Sequence, residues 1–250
     1  MSDYILFQMW RPFRQSLIDG HVFYVEQATK RLLSQFNNIE KEADKASDDW
    51  LESRSQYFDP DRHDPGDFYE SATEAGIEFY QLLSDMRDRT RLSVVAGMFH
   101  EWDKQLREWL AREIRHWNHG DYVAREIWRA DFEKVADLLE SLDRGVGGKQ
   151  YFKTLDACRL VVNVYKHGAG VSLNDLKQRY PEYLANPLKH AGGSWPGMEY
   201  LDHTHLIVSD VQLQRFADAI VEFWQGMPEN IYDSQVTTLP SWFEKALQKP

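Results

Sequence analysis

The chain of 250 residues has a single cysteine, Cys158. One thiol cannot close an internal disulfide, and such sparing use fits a reducing compartment. No stretch approaches the roughly 18 consecutive apolar residues of a membrane span. Met1 to Phe7 has no basic region ahead of an apolar run, so no secretory signal peptide is expected. A cytoplasmic protein away from membranes is the expectation. Bases are also short, with 29 Lys and Arg against 40 Asp and Glu and a net charge of −11. That balance argues against a strong non-specific grip on a polyanion. Gly145 to Lys149 lacks both the Walker spacing and the hydroxyl residue after the lysine, so no nucleotide cofactor is expected there. Internal repeats and low-complexity segments are lacking too.

What is present suits a globular helical protein. Hydrophobic residues make up 42% of the chain and aromatics 14%, with nine tryptophans. A chain this long can bury a substantial core. Charge is unevenly spread. Residues 40–85 hold 14 acids and 4 bases, whereas residues 149–189 hold 7 bases and 3 acids.

Hydrophobic periodicity sets the expected elements. Val25, Ala28, Leu32, Phe36, Ile39, Ala43, Ala46 and Trp50 step by three or four, which predicts one long amphipathic helix. An acidic turn from Phe58 to Gly66 follows. A second long helix is expected from about Asp67 to Trp117, packed antiparallel to the first. Ala75, Phe79, Leu82, Met86, Met98, Trp102, Leu106, Trp109 and Ile114 form its apolar side, and the charged stretch Arg87 to Arg91 invites a kink. A third runs from Asp121 to Leu142, in one or two pieces, with Asn118 to Gly120 before it and a joint at Gly145, Gly147 and Gly148 after it. A helix from about Lys149 to His167 ends at Gly168. Ser172 opens a short helix that stops before Pro181. Asn186 to Gly197 reads as loop, and Leu201 to Val208 as a short strand. Ser209 to Gln212 forms a capping box ahead of a helix that ends at Gly226. Trp242 to Leu247 completes the chain as a short amphipathic turn. The expected class is mainly α: a helical bundle over residues 1–170 with long antiparallel helices, and a small C-terminal α/β appendage over 171–250.

Chemistry is suggested at one place. At about 100° per residue, Asp156, Arg159, Asn163, Lys166 and His167 share one strip of the helix that ends at Gly168. A histidine passes protons near neutrality, and a guanidinium with an ammonium holds phosphate. The alternative is structural: Arg159 pairs with Asp156, and Lys166 and His167 favour the helix C-terminus. Arg159, Asn163 and His167-Gly168, at the end of a late helix, resemble the active motif of the HEPN superfamily. Here the arginine and histidine are eight residues apart. The resemblance implies an all-α bundle and a metal-independent endoribonuclease of a toxin-antitoxin or phage-defence system. It implies a homodimer with a composite site, RNA as substrate, and an antitoxin or other defence component as protein partner. In that reading His167 is the general acid and base, Arg159 and Lys166 hold the phosphate, and Asn163 orients the groups. The rival expectation is a non-catalytic helical module that binds a protein partner through its aromatic-rich helices.

Other residues carry less. His100-Glu101-Trp102-Asp103 lacks the second histidine of a zincin, since Lys104 stands at the next turn. His116 and His119 flank a helix end. Asp59, Asp61, His63, Asp64 and Asp67 lack EF-hand spacing. His203 and His205 share a face of the expected strand without a convincing third ligand. No metal and no cofactor are expected.

Overall fold

A computed structural model describes residues 3–119, 121–142, 148–185, 197–236 and 238–249. The class is mainly α, with 77% of the described residues helical and one two-stranded sheet among them. The chain divides into two compact units, residues 1–25 with 95–250 and residues 26–94. The expected boundary at residue 170 lies inside the first unit.

The first unit opens with strand β1 (Ile5–Gln8), which pairs antiparallel with β2 (Asn230–Tyr232). Phe7 and Ile231 pair across the sheet and are buried. Two indoles fasten β1: Trp109 Nε1 donates to the Gln8 carbonyl at 3.0 Å and Trp117 Nε1 to that of Leu6 at 2.9 Å. Helix α1 (Arg11–Ala28) follows. His21, on α1, is buried with Nε2 at 3.0 Å from the Ala217 carbonyl.

The expected unbroken helix through Trp50 does not form. A π turn over Thr29–Leu33 and a 3-10 turn over Ser34–Phe36 separate α1 from α2 (Ile39–Ser55). The Ser34 hydroxyl donates to the Lys30 carbonyl at 2.7 Å within this stretch. Asn37 and Asn38 then favour a turn over a helix interior.

Helix α3 (Pro65–Arg115) is unbroken through Arg87 to Arg91, where a kink was expected. Arg87 and Arg91 both reach Asp88, at 3.1 and 2.9 Å, which offsets the crowding of charge there. The unit boundary falls within α3 at Val94. Beyond it, Val95, Met98, Trp102, Leu106, Trp109, Leu110 and Ile114 are all buried. This part of α3 meets α4 (Asp121–Arg129), α5 (Phe132–Leu142) and α8 (Asp210–Gly226), and α6 (Gln150–His167) packs on α5 and α8. Trp102 stands edge-on to Phe223 of α8 with ring centroids 5.2 Å apart. Arg107 is buried beneath α4. Its Nη1 donates to the carbonyls of Ile127 and Ala130 at 2.6 and 2.8 Å, while Nε meets Asp103 at 2.8 Å. It thereby satisfies carbonyls that the end of α4 leaves open.

The capping box at Ser209 forms as expected, with the Gln212 amide donating to the serine hydroxyl at 3.2 Å. The expected strand over Leu201 to Val208 does not form. A 3-10 turn over His203–His205 stands there, with a single bridge from Leu184 to Leu206. Asp202 takes the Thr204 amide at 2.9 Å, and that local bond folds the segment away from an extended path. Helix α7 (Val171–Arg179) matches the short helix expected from Ser172, and helix α9 (Ser241–Leu247) stands where a short amphipathic turn was expected. The expected stop at Gly120, the joint at Gly145 and Gly147, and the loop over 186–196 lie outside the described residues.

The second unit is a hairpin of α2 and the first half of α3. Gly76 lies where an added Cβ would stand 3.0 Å from the Ala43 carbonyl, and Trp50 meets Phe68 at 5.0 Å. As one helix ascends the other descends, so the pair is antiparallel across the acidic turn.

Candidate functional site

Helix α6 carries the polar strip. Its other arc holds Leu155, Cys158, Val161 and Val162, all buried, which fixes the helix in the core. Burial pushes the Cys158 thiol well above its ordinary value, so it stays protonated and inert. Gly168 ends the helix with φ of +71°, a backbone that a glycine adopts without strain, and donates its amide to Val164 at 2.8 Å.

Asp156 organises the strip. It is buried, and Arg159 places Nε and Nη2 at 3.1 and 2.8 Å from its Oδ1. Arg179, from the end of α7, donates to Oδ2, and the Tyr180 hydroxyl donates to the same oxygen at 3.0 Å. Burial first, then the Asp156 charge, push the Tyr180 hydroxyl up, so it remains a donor. The Arg159 guanidinium also lies 5.3 Å from the Phe132 ring centroid. Arg159 is therefore spent on a carboxylate and a ring. Asn163 is half-buried, while Lys166 and His167 are exposed in the last turn. No hydrogen bond or ion pair joins Arg159 to His167 among the described residues. Their eight-residue interval separates their backbones by about 12 Å along the axis. Beside the helix end lies a group that the sequence reading did not place there: the His203 ring, 3.5 Å from where a Gly168 Cβ would be. Thirty-five residues apart in the chain, the two carry no shared periodicity to signal the contact.

A depression of about 430 Å³ opens on the opposite side of α6, where Lys153, Thr154 and Ala157 face Tyr183, Arg215 and Glu222. It includes none of the five strip residues and mixes both signs of charge.

Several of the remaining candidates are tied up locally. His205 Nδ1 lies 2.9 Å from Asp202 Oδ1, within a turn rather than on a strand. Hydrogen bonds from Thr204 first, and then from His205, hold the Asp202 carboxyl down at about 2. Asp59 and Asp64 accept the amides of Asp61 and Gly66 at 3.0 and 2.7 Å. Lys104 lies near Glu101 and Glu108, at 4.0 and 3.9 Å, beside the buried Trp102. No group of three or more metal-ligating side chains comes together among the described residues. No described helix is long and apolar enough to cross a membrane.

The hairpin holds the other candidate. Phe79, Leu82 and Met86 were expected on the buried side of α3, yet they are 38, 62 and 58% exposed. Their spacing of three and four aligns them as one stripe. The hairpin interface lies beside it, built on Ala43, Ala72 and Gly76. These small side chains let the helices approach closely but bury little apolar area. A depression of about 270 Å³ begins at Leu82 and Met86 of the stripe and is lined further by Asp85, Arg89, Thr90 and Ser93.

No family model matches this chain, and no curated protein or solved structure matches it.

Proposed function

We propose that this protein is a non-catalytic helical module that binds a protein partner through its acidic hairpin. One observation carries the reading: a stripe of large apolar side chains is exposed on a helix whose packing does not use them. Scattered apolar residues on a surface need no explanation, but an aligned row beside a depression is the usual form of an interaction site. The α6 strip supports the same reading from the other side. Asp156 neutralises Arg159, the cation that a phosphate would require.

A second reading keeps the HEPN-like ribonuclease, and the exposure of Lys166 and His167 together on one helix end favours it. It needs a second copy to bring another arginine to His167.

A photo-reactive residue placed at position 82 tests the first reading. In the cells from which the protein comes, covalent adducts with a protein are expected from position 82 and not from position 133, an exposed site in the first unit. Absence of adducts at 82, with RNA cleavage that is lost in His167→Ala, would replace the first reading with the second.

A further inference from the structure

The charge around the stripe narrows the partner. We infer that Phe79, Leu82 and Met86 form a docking site for a basic amphipathic helix; this rests on the interaction-module reading. At about 100° per residue, Asp67, Glu70, Glu74, Glu78 and Asp85 share an arc of about 80° on the solvent side of α3. Leu82 lies about 40° from Glu78 and 60° from Asp85, with Met86 and Phe79 just beyond. The apolar stripe is thus flanked by Glu78 and Asp85, and the ridge of carboxylates continues from it toward the hairpin turn. None of Glu70, Glu74, Glu78 and Asp85 is ion-paired among the described residues, so the ridge keeps its negative field.

That field discriminates among occupants. A second copy would set one acidic ridge against another, in a segment with 14 acids and 4 bases over residues 40–85. Nucleic acid and anionic lipid are repelled for the same reason. A helix with one apolar face and flanking Lys and Arg satisfies both features at once, placing apolar anchors on the stripe and bases over the ridge. The depression beside Leu82 and Met86 has room for one large anchor side chain. Arg89, on the side of the depression away from the hairpin turn, gives the site a polarity. The partner's bases lie toward the hairpin turn, over Glu74, Glu78 and Asp85, and an acid fits beside Arg89. From Glu70 to Asp85 the ridge runs about 22 Å, or about four helical turns.

The test uses the full chain and an 18-residue synthetic peptide of Leu and Lys at helical spacing. A scrambled peptide of the same composition and a Leu/Glu counterpart serve as controls. One-to-one binding of the Leu/Lys helix is expected, about tenfold or more tighter than the scrambled peptide. Leu82→Ser with Met86→Ser should weaken it by about tenfold. Glu74→Gln with Glu78→Gln and Asp85→Asn should weaken it and flatten its salt dependence. Equal binding of scrambled and helical peptides, binding indifferent to the Leu82 and Met86 substitutions, or a dimer that Leu82→Ser dissolves would overturn the inference. The two levels separate cleanly. Adducts from position 82 together with a failed peptide remove only the basic-helix partner. No adducts remove the interaction reading as well.

Discussion

Asp156 gathers two guanidiniums and a phenol onto one buried carboxylate, and Arg159 is one of the two. Asp156→Ala would leave Arg159 half-hidden without its counter-charge, at a cost of about 3 kcal/mol in urea unfolding. Arg159→Ala should also lower the melting temperature. His167→Ala, at an exposed position, should leave stability unchanged. A ribonuclease assay on the same three variants separates structure from chemistry, because cleavage abolished by His167→Ala alone would restore a catalytic role to the strip. Arg107 is the more costly arginine. Its loss frees the Ile127 and Ala130 carbonyls and leaves Asp103 unpaired, so Arg107→Met should cost about 2–4 kcal/mol. His21 supplies a pH dependence. Burial is the largest influence on it and holds its pKa below the ordinary 6.5, against the raising effect of the Ala217 carbonyl. The unfolded chain therefore binds the proton more readily than the folded one. The stability from a neutral His21 is complete above about pH 6.5 and is lost as pH falls toward the lowered folded value. Unfolding free energy measured from pH 7.5 to 5 should show this slope, and His21→Gln should flatten it.

The hairpin depends on close approach, and Gly76 sets how close. A Cβ there already meets the Ala43 carbonyl at 3.0 Å and the Ser47 Cβ at 3.2 Å. Gly76→Leu should prise α2 from α3, speeding amide exchange over residues 39–55 and 65–86 while leaving α6 and α8 protected. Slow exchange throughout would show that the helices can shift to admit the side chain. The elements differ in how plainly the sequence announces them. Helix α6, with Gly168 after it, and α8, with its capping box at Ser209, carry both periodicity and end signals, and they form as read. The break between α1 and α2 hid inside an intact apolar period, because turn formers such as Asn37 and Asn38 leave no trace in the hydrophobic pattern. Residues 201–208 alternate like a strand, but Asp202 closes a turn before any partner strand is met. Strand β1 was missed altogether, since its partner β2 lies more than 220 residues away. The Asp156 cluster was half legible: the spacing to Arg159 was visible, whereas Arg179 and Tyr180 arrive from another helix.

At the scale of the molecule, hydrophobic periodicity was enough to give the helical class but not the division into units. Periodicity identifies an apolar face without saying what covers it. In the first unit the face of α3 through Met98, Trp102, Leu106 and Trp109 meets other helices and is buried, whereas its earlier stretch through Phe79, Leu82 and Met86 is not. The acidic segment and the exposed stripe coincide in the second unit, which is why a partner of opposite charge accounts for both. If the stripe serves a partner, it is dispensable to the isolated fold. Urea unfolding of the Phe79→Ser, Leu82→Ser, Met86→Ser triple variant, followed by hydrogen exchange over residues 65–93, tests this most directly. Surface substitutions each shift stability by about 0.5 kcal/mol or less, so the variant should lie within about 1.5 kcal/mol of the parent with the hairpin amides still protected. A loss of about 4 kcal/mol or more, with exchange of those amides, is the behaviour of core residues and would contradict a surface kept free for binding.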